Sequence, residues 1–426
     1  MSSYPGAPAF FSKYSQGKSL LDTRGYVEKL VRDLLIIGRK IGRRSVLFPT
    51  TDECAVFVEE HADVLKDHFI FPNRTADLVR SLCNKKTMYH LAKKFKLPTP
   101  ETAFPKNRDD VVNFLKVTSF PIMIKAIQGW GRLKPGRTTS IIAHNKRDLL
   151  EKYGAMENAG GLNVILQEYI PGADDKVWMF NGYFNERSDC LLGFTGRKMR
   201  QWPIHRGVTS LGVCLRNGPV QNATKEFMKS IGYRGIVDMG YLYDPRDDQY
   251  KVFDINPRIG ATFRLFVARN GMDIARALYF DMTGQSVTEE AAPDNRKWFV
   301  EDLDLQSSLL YFMEGSLTVR QWVASYKGVR ETAYLALDDP LPFLQMFALH
   351  IRNNFRPHDL RKVTDVGLRC GLRQPRQSHP SVRYGLSERG DSPPPLPKYD
   401  RVREITTKVS PSDMPATKRS LVDNQH

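Results

Sequence analysis

The feature that most limits what this chain can fold into is a pair of apolar runs that each carry an acid. GIVDMGYLYD (235–244) and YKVFDIN (250–256) flank the turn-like PRDDQ and hold Asp238 and Asp254 among Val, Met, Phe and Ile. Runs of this length and composition read as two strands of an antiparallel hairpin. A carboxylate set among apolar neighbours is poorly solvated, and burying it unpaired is costly. A hinge near Arg246 would place Asp238 opposite Asp254, with Asn256 on the same face by the strand period of two. Two acids and an amide oxygen in one place make a hard-oxygen site suited to Mg²⁺, which favours carboxylates together with phosphates. The plainer alternative is a structural salt bridge with Arg258.

Composition bounds the rest. At 426 residues with 41% hydrophobic content, the chain can bury the core of a multi-lobed enzyme or of two to three smaller domains. Its net charge of +16 fits a polyanion such as a nucleic acid or membrane, and equally a site for phosphorylated or acidic small molecules. Five scattered cysteines (Cys54, Cys83, Cys190, Cys214 and Cys370) form no CxxC pair and no zinc-ligand spacing, which reads as reduced thiols in a cytoplasmic protein. The first sixteen residues have no basic segment followed by an apolar one, and no run is long enough to span a membrane, so neither export nor membrane insertion is expected.

Along the chain, residues 1–25 read as a flexible segment. Residues 26–80 form a partial α/β subdomain: the helical VEKLVRDLLIIGRK, the strand SVLFP, a Thr50-x-x-Glu53 capping box opening a second helix, and the strand HFIF. One long helix is expected from Thr75 to Lys96, stopped by LPTP. Residues 81–285 are rich in neighbouring strands, which suggests antiparallel sheets of an α+β domain. A mixed extension covers 286–355. The basic, proline-containing 356–426 reads as a disordered tail, with a PPPLP stretch of low specificity.

Three further clusters can carry chemistry. FPIMIKAIQGWGRLKPGRTTSII is a strand ending in Lys125, then a loop with Gly129, Gly131 and Gly136, then another strand. Glycines let backbone approach anionic oxygens, and a lysine at a strand end can meet a phosphate as a point charge. A solvated lysine beside a surface turn is the ordinary alternative. NVILQEYIPGADDK passes through Glu168, Tyr169 and Ile170 to a Pro-Gly turn and Asp175; such a crossing exposes backbone groups that can read a base edge, with acids nearby for hydroxyls. It is also consistent with a simple hairpin. In TGRKMRQWP, Lys198 and Arg200 alternate on one strand and so share a face, where paired cations can stabilise a transferring phosphoryl group or an oxyanion; a charged edge strand is the rival reading.

In this order the clusters resemble the ATP-grasp superfamily over roughly 45–284, and TGRKMRQWP, the TDE after VLFP and the late DDPLPF look similar to its carboxylate-amine ligases of the D-aspartate ligase type. The resemblance implies two α/β lobes clamping ATP, with a shortened N-terminal subdomain. It implies that Lys85 of NKKTMYHLAKKFKLPTP and Lys125 are the two nucleotide lysines. Glu168, Tyr169 and Ile170 would meet the adenine, Asp175 the ribose, and the glycine loop with Gly129 and Gly131 the phosphates. Asp238, Asp254 and Asn256 match the family's acid, acid and asparagine that hold Mg²⁺ or Mn²⁺, and DINPRIG is close to its acidic-x-Asn-Pro-Arg pattern. Asn84 stands where an aspartate is common, and Ile236 where some members carry arginine.

On this resemblance the chain would phosphorylate a small carboxylate with ATP and let an amine displace the phosphate, with Lys198, Arg200 and Arg258 stabilising the transferred group. An ATP-binding protein of the same fold without turnover is the first alternative. A basic nucleic-acid-binding protein is the second, although no aromatic RNA-binding signature, helix-turn-helix or zinc finger is present.

Overall fold

The structure is a computed structural model that describes residues 6–16, 27–126, 140–157, 164–172, 174–205, 207–288 and 294–354. The glycine-loop residues Gly129, Gly131 and Gly136, the ends of the 1–25 segment and the 356–426 tail lie outside the described residues. The chain divides into a unit over Met1–Arg361 and a second over Lys362–His426, and every described residue belongs to the first.

Helix α1 (Val27–Ile41) buries Leu30, Leu34 and Gly38, a spacing of four that makes one apolar stripe. It packs on a short parallel pair, β1 (Ser45–Val46) and β2 (Phe69–Ile70), through Leu47, Phe57 and Phe69. Helix α2 (Asp52–Glu60) is capped by Thr51, not by Thr50 as the sequence suggested. Thr51 is the residue with extended backbone before the first turn, and its side chain accepts from the Cys54 amide at 3.2 Å. The short α3 (Ala62–Leu65) completes this subdomain.

The long helix expected from Thr75 is two helices, α4 (Ala76–Cys83) and α5 (Lys85–Lys94). Asn84 breaks it: with φ −91° and ψ 121° it leaves helical geometry, and its carboxamide oxygen accepts from the Lys86 and Thr87 amides at 2.9 and 3.3 Å. An asparagine that caps the orphan amides of a following helix outcompetes continuation of the preceding one. Lys85 is thereby placed at the first turn of α5.

Next come β3 (Thr102–Ala103), α6 (Arg108–Phe114), β4 (Ile122–Ala126), β5 (Ser140–Ala143), α7 (Lys146–Glu157) and β6 (Val164–Glu168). The strands form an antiparallel sheet in the order β3-β6-β4-β5. Ile122 and Ile124 point into a core with Val111, Phe114, Leu149 and Tyr153, so alternation sends Lys125 to the opposite face.

The larger lobe contains β7 (Val177–Phe184), β8 (Cys190–Trp202), β9 (Val208–Cys214), α8 (Gly218–Ser230), β10 (Gly235–Asp244), β11 (Gln249–Asn256) and α9 (Ile274–Met282). The stretch read as an extension adds β12 (Lys297–Phe299), α10 (Glu301–Met313), α11 (Val319–Ser325), β13 (Val329–Thr332) and α12 (Leu341–Asn354). β12 and β13 complete a seven-stranded sheet, β11-β10-β7-β8-β9-β12-β13, so these residues extend the sheet of the preceding lobe. One face carries Phe180, Phe184, Val237, Met239 and Tyr241 against Val220 and Phe227 of α8 and Leu82 and Met88 of α4 and α5. The other carries Met179, Tyr183, Leu192 and Phe194 beneath Leu265, Phe266 and α9. Because β10 alternates, Val237 and Met239 in the first core force Asp238 onto the second face.

Candidate active site

The hairpin register differs from the sequence expectation. Asp238 pairs with Asn256, and Asp254 pairs with Gly240. The four-residue turn after Asp244 displaces the register by one position, and a bulge between Gly240 and Tyr241, which leaves Phe253 without a partner, displaces it by another. A side chain added at Gly240 would meet the Phe253 ring at 2.7 Å, so the bulged ring occupies space that glycine leaves. The displacement totals two, which keeps the parity of the strand, so Asp238, Asp254 and Asn256 still share a face.

Lys85 at the start of α5 pairs with Asp254 and also approaches the Phe253 carbonyl at 3.5 Å. Asn256 donates to Asp254 at 3.1 Å. Lys125 donates to the side-chain carboxamide oxygen of Gln167 at 2.6 Å. Burial, then the nearby Lys85 charge, pushes the Lys125 ammonium down to about 8, with Asp254 opposing. Burial works to raise the Asp254 carboxyl, but Lys85, Asn256 and Lys198 hold it below the usual range. Burial, then the charge of Asp254, pushes Asp238 up to about 6, against Arg258, Lys198 and a 3.0 Å hydrogen bond from Asn181. Lys85, Lys125, Lys198, Arg258 and Asn256 are therefore each within reach of Asp254 or Asp238, which makes the acid pair their common neighbour.

Arg258 donates to Asp52 at 2.8 Å and to the side-chain carboxamide oxygen of Asn256 at 3.2 Å, joining α2 to the acid hairpin. Behind it Arg74, fully enclosed, pairs with Glu59 at 2.6 Å and donates to Tyr233 and to the Pro257 carbonyl, both at 3.0 Å, which fixes the turn after Asn256. Lys198 donates to the Gly207 carbonyl at 3.0 Å.

Arg200 is elsewhere. Strand irregularities on either side of it break the alternation on which a face shared with Lys198 rested. Its guanidinium forms two bonds with the fully buried Asp304 of α10, at 2.8 and 2.7 Å, and a third to Ser325 at 2.8 Å. Its charge is matched within the core rather than directed at the acid pair.

At the other end, Glu168 closes β6 and links the two sheets. It accepts from the Glu101 amide at 3.1 Å, pairs with Arg246 of the β10–β11 turn, and has Lys251 at 3.7 Å. Tyr169 is half-buried and Ile170 buried where the chain leaves the sheet. Asp175 is exposed in a single turn ahead of β7, and its neighbour Lys176 lies over the Tyr243 ring of β10.

Among the described residues no group of three or more His, Cys, Asp or Glu side chains makes a metal site. Two acids and an asparagine nevertheless fit Mg²⁺, which binds through one or two carboxylates and completes its shell with water and phosphate. Two half-desolvated carboxylates that repel each other, beside a buried amide oxygen of Asn181 with no hydrogen-bond partner, suit a cation.

Sequence reasoning singled out neither Asn181, Asp52 nor Arg74 as site residues. For Asn181 the signal was present: one amide inside the apolar run VWMFNGYF. Asp52 lay in the TDE noted for its likeness alone. Arg74 had no local signal, because its partners lie 15, 159 and 183 positions away in sequence.

Searched against family models, the chain matches none. Its fold is nonetheless that of the ATP-grasp superfamily, with a small antiparallel sheet and a larger one bringing lysines and acids to one locus. An N5-carboxyaminoimidazole ribonucleotide synthetase in complex with ADP superposes with a TM-score of 0.51 over 70% of this chain and 72% of that one, at 10% identity. The chain is similar in sequence to the D-aspartate ligase of Enterococcus faecium (strain Aus0004), 27% identical over 243 residues, which is 55% of this chain and 58% of that enzyme. The carbamoyl phosphate synthase large chain of Methanobrevibacter smithii is 19% identical over 194 residues, 44% of this chain and 18% of that one. The chain thus spans less than two thirds of the length of these two sequence relatives. Among the described residues no helix is long and apolar enough to cross a membrane, and Cys54, Cys83, Cys190 and Cys214 are in no disulfide.

Proposed function

We propose that this protein is an ADP-forming ligase that uses ATP to join a small, amino-acid-like carboxylate to an amine through an acyl phosphate. The observation that carries the reading is the convergence of Lys85, Lys125, Lys198 and Arg258 with Asp238, Asp254 and Asn256, drawn from four separate parts of the fold. The likeness to a D-aspartate ligase supports the reaction class.

In this reading Lys85 and Lys125 bind the nucleotide phosphates, and Glu168, Tyr169 and Ile170 face the adenine. Mg²⁺ held by Asp238, Asp254 and Asn256 would offset the charge of the phosphate oxygens. A carboxylate does not react with an amine directly because its leaving group would be oxide. Transfer of the terminal phosphoryl group to it supplies phosphate as the leaving group, and amine attack then gives the amide. Lys198 and Arg258, the cations beside Asp238 and Asp254, would stabilise the group in transfer. Arg200 is omitted from this set because Asp304 engages it.

The test is ADP release by purified protein with Mg²⁺ and ATP against a panel of amino acids and small carboxylates, with Asp254→Asn as control. Release that requires both a carboxylate and an amine, and is lost in the variant, supports the ligase. Nucleotide binding without release across the panel points instead to a binding protein of the same fold.

A further inference from the structure

Asn181 is fully buried in the middle of β7 and lies directly across from Asp238, whose other cross-strand partner is Asn256. Asn181, Asp238 and Asn256 thus form one polar rung spanning three strands, and the strand neighbours of Asn181 on that face, Met179 and Tyr183, belong to the apolar core. The amide is oriented by chemistry: Nδ2 donates to the Asp238 carboxylate at 3.0 Å, and reversing it would set a carbonyl against an anion. That leaves Oδ1 buried with no hydrogen-bond partner. The Tyr183 hydroxyl cannot supply one, because it is engaged by Asp281 at 2.6 Å. An unsatisfied buried acceptor is destabilising by about 1–3 kcal/mol, and native proteins seldom leave one without a water or ion.

We propose that Asn181 is a positioning residue of the acid site. Its N–H fixes the Asp238 carboxylate, and its carbonyl accepts a hydrogen bond from a water of the divalent cation held at Asp238, Asp254 and Asn256. The inference rests on the metal-dependent reading above and adds a residue to it. Mg²⁺ and Mn²⁺ keep part of their water shell when bound through few carboxylates, and such waters need acceptors on the protein. Groups that orient metal ligands are worth about 10–100-fold in metal affinity.

The test measures Mn²⁺ affinity by water-proton relaxation, with ADP present, for wild type, Asn181→Ala, Asn181→Ser and Asp254→Asn. Metal-free melting curves establish that each variant is folded. We expect Asn181→Ala to weaken Mn²⁺ binding at least tenfold, Asn181→Ser to fall between it and wild type, and Asp254→Asn to bind no measurable Mn²⁺. Affinity within twofold of wild type in the alanine variant, alongside loss in Asp254→Asn, would overturn the role of Asn181 and leave the metal reading standing. A wild type that binds no Mn²⁺ would overturn both. If the alanine variant does not fold, the serine variant decides by the same criterion; failure of both to fold assigns Asn181 to the core and overturns the proposal.

Discussion

Replacing Arg200 with methionine separates a core role from a catalytic one. Asp304 has no exposed surface, and it accepts two bonds from Arg200 at 2.8 and 2.7 Å, one from Tyr326 at 2.6 Å and a longer one from Ser210 at 3.3 Å. In Arg200→Met the carboxylate keeps only neutral donors and loses the cation that balances it. Removing one partner of a buried ion pair typically destabilises by about 3–5 kcal/mol. For a unit of this size that corresponds to a fall in Tm of roughly 4–7 °C. The double variant Arg200→Met with Asp304→Leu, which removes the stranded charge, should recover most of the loss. Differential scanning fluorimetry and urea titration measure both. An Arg200→Met protein that melts within one degree of wild type yet no longer releases ADP would refute this reasoning and return Arg200 to the reacting groups.

Lys125 has its ammonium held down to about 8, so the charged form that attracts phosphate is depleted as pH rises through that value. Nucleotide affinity measured by calorimetry should therefore decline above about pH 8, and Lys125→Met should bind roughly tenfold or more weakly with that inflection gone. Asn84→Ala removes the cap of α5 and should lower stability by about 1 kcal/mol in denaturant titration. It should also weaken nucleotide binding, because Lys85 begins that helix; unchanged binding would detach the cap from the site. Gly260→Ala would place a carbon 2.5 Å from an Asp238 carboxylate oxygen, so it should impair Mn²⁺ affinity with little change in the buried core, a split that relaxation and melting data resolve.

Periodicity was read correctly where its cause is local. Strand alternation at Asp254 and Asn256 follows from the pleat, so their common face could be derived from spacing, whereas Asp238 joins that face only because the turn and the bulge displace the register by two in all. Register depends on how a turn closes and on whether a ring fits beside a glycine. Phe253 against Gly240 is such a fit, and a string of letters does not contain it. The break at Asn84 shows the same division: an asparagine before lysines permits either a continuing helix or a new cap, and packing of α4 and α5 at Leu82 and Met88 accompanies the second.

The sequence by itself determined the class of fold and most of the charged groups around the acid hairpin, because each sits in a run whose composition and order are recognisable. Only the tertiary structure decided the partners. It drew Arg200 into the core through Asp304, a residue 104 positions away, and set Asp52 on Arg258 across 206 positions. It also left Asn181 beside Asp238 with an unmatched carbonyl. The physical reason is that a charge takes its role from the nearest complementary group once water is removed, and that group is chosen by chain topology rather than by neighbours in sequence.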